Sequence, residues 1–320
     1  MDRPVITIQT NDGQYTPLVT EEITLEFRRA GAPGQLTFQV VNDSVISFAE
    51  GDNVTVSFGA EILFTGFVFT KRRRSDGVIT VMAYDQMRYL KNRDTYTYEY
   101  LTARELTNRI AADWGLRTGE IEETGYLIPA RVENNRPLLD ILQTAIDLTV
   151  AQTGHLFVLY DKAGALCLTH AQNMKLDTLI HEGSIRDFDY TSTIDRDAYS
   201  AVRLYRPQSG EGETIFYGAR RDDLVARWGM LRHVSRLEEE ADGPESAEAL
   251  LRFYGRKTRR LRVFDAMGDI RVRGGSMLPV QLYLGDMNLR DFLMVERVTH
   301  RLSENGHKME LILVGGEFLD

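Results

Sequence analysis

The sequence predicts a mainly β protein in which a small α+β region lies between two β-rich regions. Hydrophobic residues recur at every second position near both ends of the chain, which is the pattern of strands with one buried face. Clusters of Asn, Asp, Gly and Pro separate these segments. In between, the hydrophobic spacing changes to that of amphipathic helices. We therefore predict a first β domain at 1–97, an α+β domain at 98–189 and a second β domain at 190–320.

The first domain contains several short alternating segments that end at turn residues. The sequence Asp76-Gly77 between two such segments is a strong hairpin signal. Many short antiparallel strands are typical of a small barrel or sandwich. The predicted strands include residues 23–27, 36–40, 54–58, 64–69 and 78–82.

The middle domain contains two predicted helices. The first begins with a capping box at residues 102–105 and ends at Gly115. The second begins near Asn135, with Pro137 in its first turn, and ends at Gly154. A hairpin follows, which completes a small α+β domain.

The last domain returns to β structure with one helical insertion near 244–258, opened by Pro244. The predicted strands include residues 202–204, 215–217, 270–272, 280–284, 292–300 and 308–314.

The end of the chain resembles its beginning. Residues 51–82 and 275–311 each contain a glycine-led strand, a longer strand that ends in basic residues, a turn with glycine and a closing strand. Side-chain identity between the two segments is low, so a chance similarity of two hairpins stays open. A true duplication gives two similar β units in one chain, and six in three chains.

Composition limits the function classes. The formal net charge of −9 disfavours stable nucleic-acid binding. No apolar run approaches the ~20 residues that cross a bilayer, and no secretory signal is visible. The single cysteine, Cys167, lies in an apolar stretch and is predicted to be a buried hydrophobe. We expect synthesis in the bacterial cytoplasm and no insertion into a membrane.

Catalytic signatures are missing from the sequence, so we predict a protein that is not an enzyme. No catalytic, cofactor-binding or metal-binding residue is assigned, because the six histidines lack metal-ligand spacing. Neighbouring carboxylates at Glu122-Glu123 and residues 238–240 are interpreted as solvated surface.

Two basic runs are the candidate functional residues. They can bind phosphate, or they can form salt bridges between subunits, and the sequence leaves both open. The first lies beside the predicted hairpin tip, and the second is predicted to end a helix, where cations are favourable. As interface or channel-proximal candidates we take Lys71, Arg72, Arg73, Arg74, Arg256, Lys257, Arg259 and Arg260.

The longest run that supports a family resemblance is 66–96, which contains the Ser-Asp-Gly turn and continues through Ala-Tyr-Asp-Gln-Met. With other segments in the same order along the chain, it resembles the XkdQ/YqbQ family of prophage baseplate hub proteins. The other segments are 34–38, 50–52, 119–126, 187–192, 228–229, 294–300 and 315–318.

The resemblance implies a structural role. It implies two barrel-like tube domains per subunit that flank the α+β domain. A homotrimer of such subunits forms a pseudo-sixfold ring, which adapts the hexameric tail tube to the trimeric central spike. The implied partners are the tube or tube-initiator protein, the spike, the wedge proteins and the C-terminus of the tape measure. DNA passes through the channel without stable binding, and the implied location is the tail baseplate of a virion or phage-like particle.

Two alternatives from other classes remain at this stage. One is a peptidoglycan-degrading tail hydrolase with its carboxylates in the middle domain. The other is a carbohydrate- or nucleic-acid-binding β-barrel module.

Overall fold

The computed structural model of the chain describes residues 3–20, 22–41, 47–207, 213–237, 241–285, 288–304 and 306–315. Strands dominate this part of the chain and the helices are few, so the predicted mainly β fold class with α+β parts is confirmed. The barrel form of the two β regions stays a prediction.

The N-terminal strands follow the alternating pattern. In the fourth strand Leu36, Phe38 and Val40 are buried, and the residues between them are partly exposed. The predicted hairpin turn is present: Gly77 has φ +80°, and the Val78 N–H donates to Asp76 Oδ1 at 3.0 Å. The strands are β1 (Pro4–Thr10), β2 (Gly13–Tyr15), β3 (Ile23–Arg28), β4 (Gln35–Val41), β5 (Asn53–Phe58), β6 (Glu61–Arg73) and β7 (Val78–Tyr84).

The first helix of the middle region is as predicted. Thr102 and Glu105 form the capping box, and Gly115 follows the helix with φ +62°. The elements of this region are a 3-10 helix (Gln86–Lys91), β8 (Arg93–Tyr98), α1 (Ala103–Asp113), β9 (Thr118–Ile121), β10 (Arg131–Pro137), α2 (Leu138–Thr153), β11 (Phe157–Asp161), β12 (Leu166–His170) and a 3-10 helix (Ala171–Met174).

The predicted start of the second helix was wrong. Asn135 lies in strand β10, which pairs with β8, and Arg93 Nε donates to Asn135 Oδ1 at 3.2 Å. Asn135 itself lies in a bulge of β10, with φ +48°, between the pairs Glu133–Tyr96 and Arg136–Asp94. This conformation is not that of a right-handed helix, and α2 begins only at Leu138, with Pro137 as its N-cap. Its end at Gly154, in the left-handed conformation, is as predicted.

The C-terminal region contains more elements than predicted, among them α3 and the long strand β18. The elements are β13 (Ile180–His181), a 3-10 helix (Glu182–Ser184), β14 (Asp187–Thr193), β15 (Ala201–Arg206), β16 (Ile215–Arg220), α3 (Asp222–Trp228), β17 (Arg232–Arg236), α4 (Gly243–Tyr254), β18 (Thr258–Met267), β19 (Met277–Tyr283), β20 (Asn288–Ser303) and β21 (Gly306–Gly315).

Two sequence predictions in this region need correction. The inserted helix ends at Tyr254, not near residue 258, because Gly255 caps it and β18 begins at Thr258. The segment 270–272 is a turn rather than a strand. Asp269 holds this turn, since its carboxylate accepts from the Arg271 N–H at 2.9 Å.

One large sheet joins the two ends of the chain. Its main path runs β14-β18-β21-β20-β3-β4-β7-β6-β5-β1-β2, and β19 and β13 extend it beside β20. We call β3, β4, β7, β6 and β5 the N-terminal unit, and β14, β18, β21, β20 and β19 the C-terminal unit. The two units meet where β20 pairs antiparallel with β3. Smaller sheets, β10-β8, β11-β12-β9 and β16-β15-β17, lie outside this path.

The hydrophobic cores follow the same division. Each unit has its own core, and Leu302 of β20 is packed in the core of the N-terminal unit. A third core lies around α1 and α2, and a fourth lies between α4 and the sheet of β15. The predicted domain boundaries after residues 97 and 189 stay a prediction.

Candidate functional site

The first basic run lies where β6 extends past its neighbour β5. Strand β5 pairs with β6 only as far as Phe67, whereas β7 pairs with β6 through Arg73. The outer half of β6 and β7 therefore forms a hairpin that projects beyond β5. The run 71–74 occupies the projecting end.

Residues of this run point to opposite faces of the hairpin. Lys71 lies opposite Val81, and Arg73 lies opposite Ile79, both of which face the core. The ammonium of Lys71 is 4.1 Å from the centroid of the Phe48 ring and donates to the Phe48 carbonyl oxygen. Lys71 thus covers the end of the N-terminal core.

The other face carries Arg72 and Arg74, both exposed. Among the contacts of the described residues, neither guanidinium has an ion pair or a side-chain hydrogen bond. This face therefore presents two positive charges beside an open strand edge.

The prediction that the second basic run ends a helix was wrong. Arg256 and Lys257 lie in the short connection after α4, whereas Arg259 and Arg260 belong to β18. Strand β14 holds them in place, since Arg259 pairs with Ser192 and Arg260 with Thr191. Arg259 also lies 3.8 Å from a carboxylate oxygen of Asp291.

Within one chain the two runs are not brought together. In the sheet, β18 and β6 are separated by β21, β20, β3, β4 and β7. A single phosphate cannot contact both runs in one subunit, so a combined basic patch requires a second chain.

The sequence analysis missed a buried polar cluster that ties the middle region to the large sheet. Asp85 accepts from the Gly34 N–H at 2.7 Å and the Met87 N–H at 3.0 Å. The next residue, Gln86, donates from Nε2 to Asp161 Oδ2 at 2.9 Å. A Cβ atom at Gly34 would lie 2.6 Å from Asp85 Oδ2, so this position requires glycine.

Arg273 completes this cluster. Its guanidinium lies 5.1 Å from the Phe27 ring and 4.4 Å from the Tyr160 ring. Burial, followed by the charge of Asp161, raises the pKa of Asp85 well above its usual value. Burial also raises the pKa of Asp161 and lowers the pKa of Arg273. Because both carboxyl groups are buried and hydrogen-bonded, the cluster joins parts of the fold and offers no access to a substrate.

Carboxylates of the middle domain are also engaged in structural contacts. Glu122 accepts from the His170 N–H at 2.9 Å, and Glu123 accepts from Arg104 Nη1 at 3.0 Å. The run 238–240 lies outside the described residues. Because these hydrogen bonds hold β12 and the start of α1, Glu122 and Glu123 act as loop anchors.

One open surface depression, of about 430 Å³, lies beside α1. It is lined by Asp94, Tyr96, Asp113 and neighbouring residues. Tyr96 donates to Asp113 Oδ2 at 3.0 Å, and burial with this carboxylate raises the pKa of Tyr96 to about 12. The depression is open to solvent, whereas pockets that bind small ligands enclose most of the ligand's surface.

Two histidines form a hydrogen-bonded pair at the end of the C-terminal hairpin, where His300 is buried and His307 is half-buried. His300 Nε2 lies 2.8 Å from the Val272 carbonyl oxygen, and His300 Nδ1 lies 2.9 Å from His307 Nε2. A carbonyl oxygen only accepts, so His300 carries its proton on Nε2 and accepts from His307 through Nδ1. Burial lowers the pKa of His300 to about 3.

Cys167 is buried, as predicted, and burial raises the pKa of its thiol. In the described ranges, no group of three or more His, Cys, Asp or Glu residues is arranged to hold a metal ion. None of the helices described is long and apolar enough to span a bilayer.

Comparison with known proteins identifies the family. The family model described as YQBQ-like matches residues 23–314. The chain belongs to the YQBQ-like family. A relative within this group is the phage-like element PBSX protein XkdQ of Bacillus subtilis, 26% identical over 313 residues that cover 95% of this chain and 94% of XkdQ.

Solved structures with the same fold include tail proteins. The 43 kDa tail protein of prophage MuSo2 from Shewanella oneidensis superposes with a TM-score of 0.72 at 15% identity, covering 99% of this chain and 100% of that protein. The Escherichia coli c3393 protein, a type VI secretion component described as similar to the phage T4 tail proteins gp27 and gp5, gives 0.58 at 11% identity, covering 96% and 76%. This YQBQ-like chain thus has the fold of these tail proteins.

Proposed function

We propose that this YQBQ-like protein is the hub of a contractile-tail baseplate, a homotrimer that adapts the hexameric tail tube to the trimeric central spike. The observation that supports it best is the repetition of one strand arrangement within the chain. A trimer of chains with two equivalent β units presents six units on one face, which matches a sixfold tube.

Backbone contacts support the equivalence of the two units. In the N-terminal unit the Gly51 N–H donates to the Val68 carbonyl oxygen at 2.8 Å. In the C-terminal unit the Gly275 N–H donates to the Val295 carbonyl oxygen at 2.8 Å. Both contacts fix the long middle strand of the unit to the glycine-led segment before its first strand.

The tube-facing end and the spike-facing end of such a hub have different partners. We assign the tube or tube-initiator protein to the sixfold ring and the spike to the opposite, threefold face. Wedge proteins and the C-terminus of the tape measure are the further proposed partners. The particle is a virion or a phage-like particle, and DNA passes through the channel without stable binding.

The role is structural rather than catalytic. The carboxylates that a hydrolase needs are engaged in hydrogen bonds that hold loops, as at Glu122 and Glu123. Peptidoglycan zymography with the purified protein is expected to give no clearing. Clearing that vanishes on Glu122→Gln or Asp113→Asn would favour the hydrolase alternative.

The hub assignment is tested by the mass of the purified protein in solution. Multi-angle light scattering is expected to give three times the chain mass of 36.5 kDa. Electron microscopy of tails from a producing strain is expected to place the protein at the junction of tube and spike. A chain that stays monomeric and is missing from purified tails would contradict the assignment.

A further inference from the structure

The two units match strand by strand. The order β3-β4-β7-β6-β5 in the N-terminal unit corresponds to β14-β18-β21-β20-β19 in the C-terminal unit. All neighbouring strands within both series are antiparallel. Strand β14 therefore occupies in the second unit the place that β3 occupies in the first.

The register of the long middle strands also matches. Each strand contains a bulge directly after the valine that accepts the glycine N–H, between Val68 and Thr70 in β6 and between Val295 and Arg297 in β20. Thr70 thus corresponds to Arg297. From this point each residue of β6 has a defined counterpart in β20.

The units differ in what lies beside the middle strand after the bulge. Strand β20 pairs there with β3, from Arg297 opposite Arg28 to Leu302 opposite Ile23. At the corresponding positions β6 has β7 on one side and, within the residues that the structure describes, no strand on the other. Strand β14 lies at the end of the sheet path, so among the described residues its outer edge has no neighbouring strand either.

We propose that β6 of one chain pairs antiparallel with β14 of a second copy of the chain. The contact repeats between chains the β20–β3 contact that each chain makes internally, and it rests on the proposed homotrimer. Leu36 and Leu261 lie at equivalent places in the two units, opposite Leu25 of β3 and Tyr190 of β14, so Glu26 corresponds to Thr191 and Thr24 to Asp189. Transferring the internal register therefore places Arg72 opposite Thr191 and Arg74 opposite Asp189.

Backbone groups at the open edge of β6 point in the direction that this pairing needs. The Arg74 N–H donates to the Val78 carbonyl oxygen at 3.1 Å, so Arg74 faces β7. Because strand residues alternate, Lys71 and Arg73 direct their N–H and C=O groups to the open edge. The transferred register places them opposite Ser192 and Tyr190 as hydrogen-bonded pairs.

Charge complementarity supports the same register. In the internal contact Arg301 Nε lies 3.7 Å from a carboxylate oxygen of Glu22. The corresponding residues between chains are Arg74 and Asp187. Asp187 and Asp189 are exposed and point to the same face of β14, where they meet the two arginines of the projecting hairpin.

The proposed pairing is compatible with a closed ring of three chains. Each chain offers one β6 edge and one β14 edge, which gives a head-to-tail interface that forms a ring when the rotation closes. Internal and intermolecular contacts then alternate around the ring. Open edges with charged residues also occur as protection against aggregation, and the experiment below separates that role from pairing.

Cysteine pairs test the register in the full-length chain. The variant Arg72→Cys/Thr191→Cys, in a Cys167→Ala background, places two cysteines at a non-hydrogen-bonded pair, where side chains are closest. Mild oxidation is expected to give covalent dimers and trimers on a non-reducing gel. The internal counterpart is Glu26→Cys/Thr299→Cys, since Thr299 pairs with Glu26 in the same chain. This variant is expected to form a disulfide within the chain, so that it loses its free thiols and still migrates as a monomer.

A one-residue shift provides the matched control. Arg73→Cys/Thr191→Cys places the two side chains on opposite faces of the sheet and is expected to cross-link at least tenfold less. A trimer by light scattering that does not cross-link, or that cross-links equally with the shifted pair, would overturn the proposed pairing and leave the hub trimer standing. A chain that is monomeric at all concentrations while the internal pair still forms would overturn the hub trimer itself.

Discussion

The N-terminal and C-terminal units share a strand order, but their long hairpins have opposite surroundings. In the C-terminal unit β3 covers the hairpin, and the inward residues Val298, His300 and Leu302 are buried. The corresponding residues of β6 and its turn are Lys71, Arg73 and Ser75. Coverage within the chain thus goes with buried side chains, whereas the uncovered hairpin carries polar and charged residues, as is common at open strand edges.

In the proposed homotrimer, one architecture serves two kinds of junction. A junction inside the chain forms during folding, so its residues contribute to the stability of the monomer. A junction between chains forms only afterwards, so its residues must tolerate water. Matched substitutions at corresponding positions distinguish the two.

The largest difference is expected at the end of the hairpins. Leu302 is fully buried in the N-terminal core, and Leu302→Ala is expected to lower the free energy of unfolding by about 3 kcal/mol. Ser75→Ala, at the corresponding exposed position, is expected to change it by less than about 0.5 kcal/mol. Urea denaturation followed by circular dichroism measures both. Equal losses would contradict the assignment of Leu302 to an internal junction.

A pH effect is expected from the covered hairpin only. His300 has a pKa of about 3 when folded and about 6.5 when unfolded, so the unfolded chain binds more protons between these values. The contribution of His300 to the free energy of unfolding is therefore complete above about pH 6.5. It is lost as the pH falls, by about 2 kcal/mol between pH 6.5 and 4.5.

The conservative variant His300→Gln retains a donor for the Val272 carbonyl oxygen without titrating. Its stability is expected to fall less over the same pH range than that of the wild type. His155→Gln, at an exposed histidine, is the control and is expected to follow the wild type. A His300→Gln variant with the full pH dependence would exclude His300 as its source.

Charge reversal is expected to affect the uncovered hairpin in assembly only. Arg74→Glu places a negative charge beside Asp187 and Asp189 of the neighbouring chain and is expected to weaken each junction by about 1 kcal/mol. Sedimentation velocity over a concentration series measures the fraction of the protein that is trimeric. The exchanged pair Arg74→Asp/Asp189→Arg is expected to recover part of the loss, and Lys162→Glu on an exposed turn is expected to have no effect.

The smallest effect is expected for the second basic run. Arg259 is half-exposed and lies 3.8 Å from Asp291, so Arg259→Ala is expected to change stability by less than about 0.5 kcal/mol. Thermal unfolding and sedimentation of Arg259→Ala and Arg72→Ala distinguish the contributions of the two runs to stability and to trimer formation. We expect only Arg72→Ala to weaken the trimer, and an equal loss for both would assign β18 to the interface as well.

Local patterns accounted for many elements because they depend on neighbouring residues. The capping box at Thr102 and the glycine ends of α1 and α2 were predicted correctly for this reason. Errors arose where a distant strand decides the conformation. The pairing of β10 with β8 holds Asn135 in a bulge with a positive φ, and pairing with β14 and β21 converts residues after Gly255 into a strand.

The site was less predictable than the fold. Both basic runs were visible as charge patterns, but their separation by five intervening strands depends on the sheet order. The Asp85–Arg273 cluster left no signal, because its members lie far apart in the chain and no motif links them. A buried carboxyl group is recognised only after its surroundings are known.

The sequence by itself determined the mainly β class, the helix caps, the hairpin at Asp76-Gly77 and the weak echo between the two ends, because each is a property of residues close together in the chain. Tertiary structure alone decided which strand lies beside which. In the part of the chain that the structure describes, it placed β3 against β20 and left the corresponding edges of β6 and β14 open. Strand pairing joins residues that are distant in sequence, so the open edge that defines the proposed interface appears only in the folded chain.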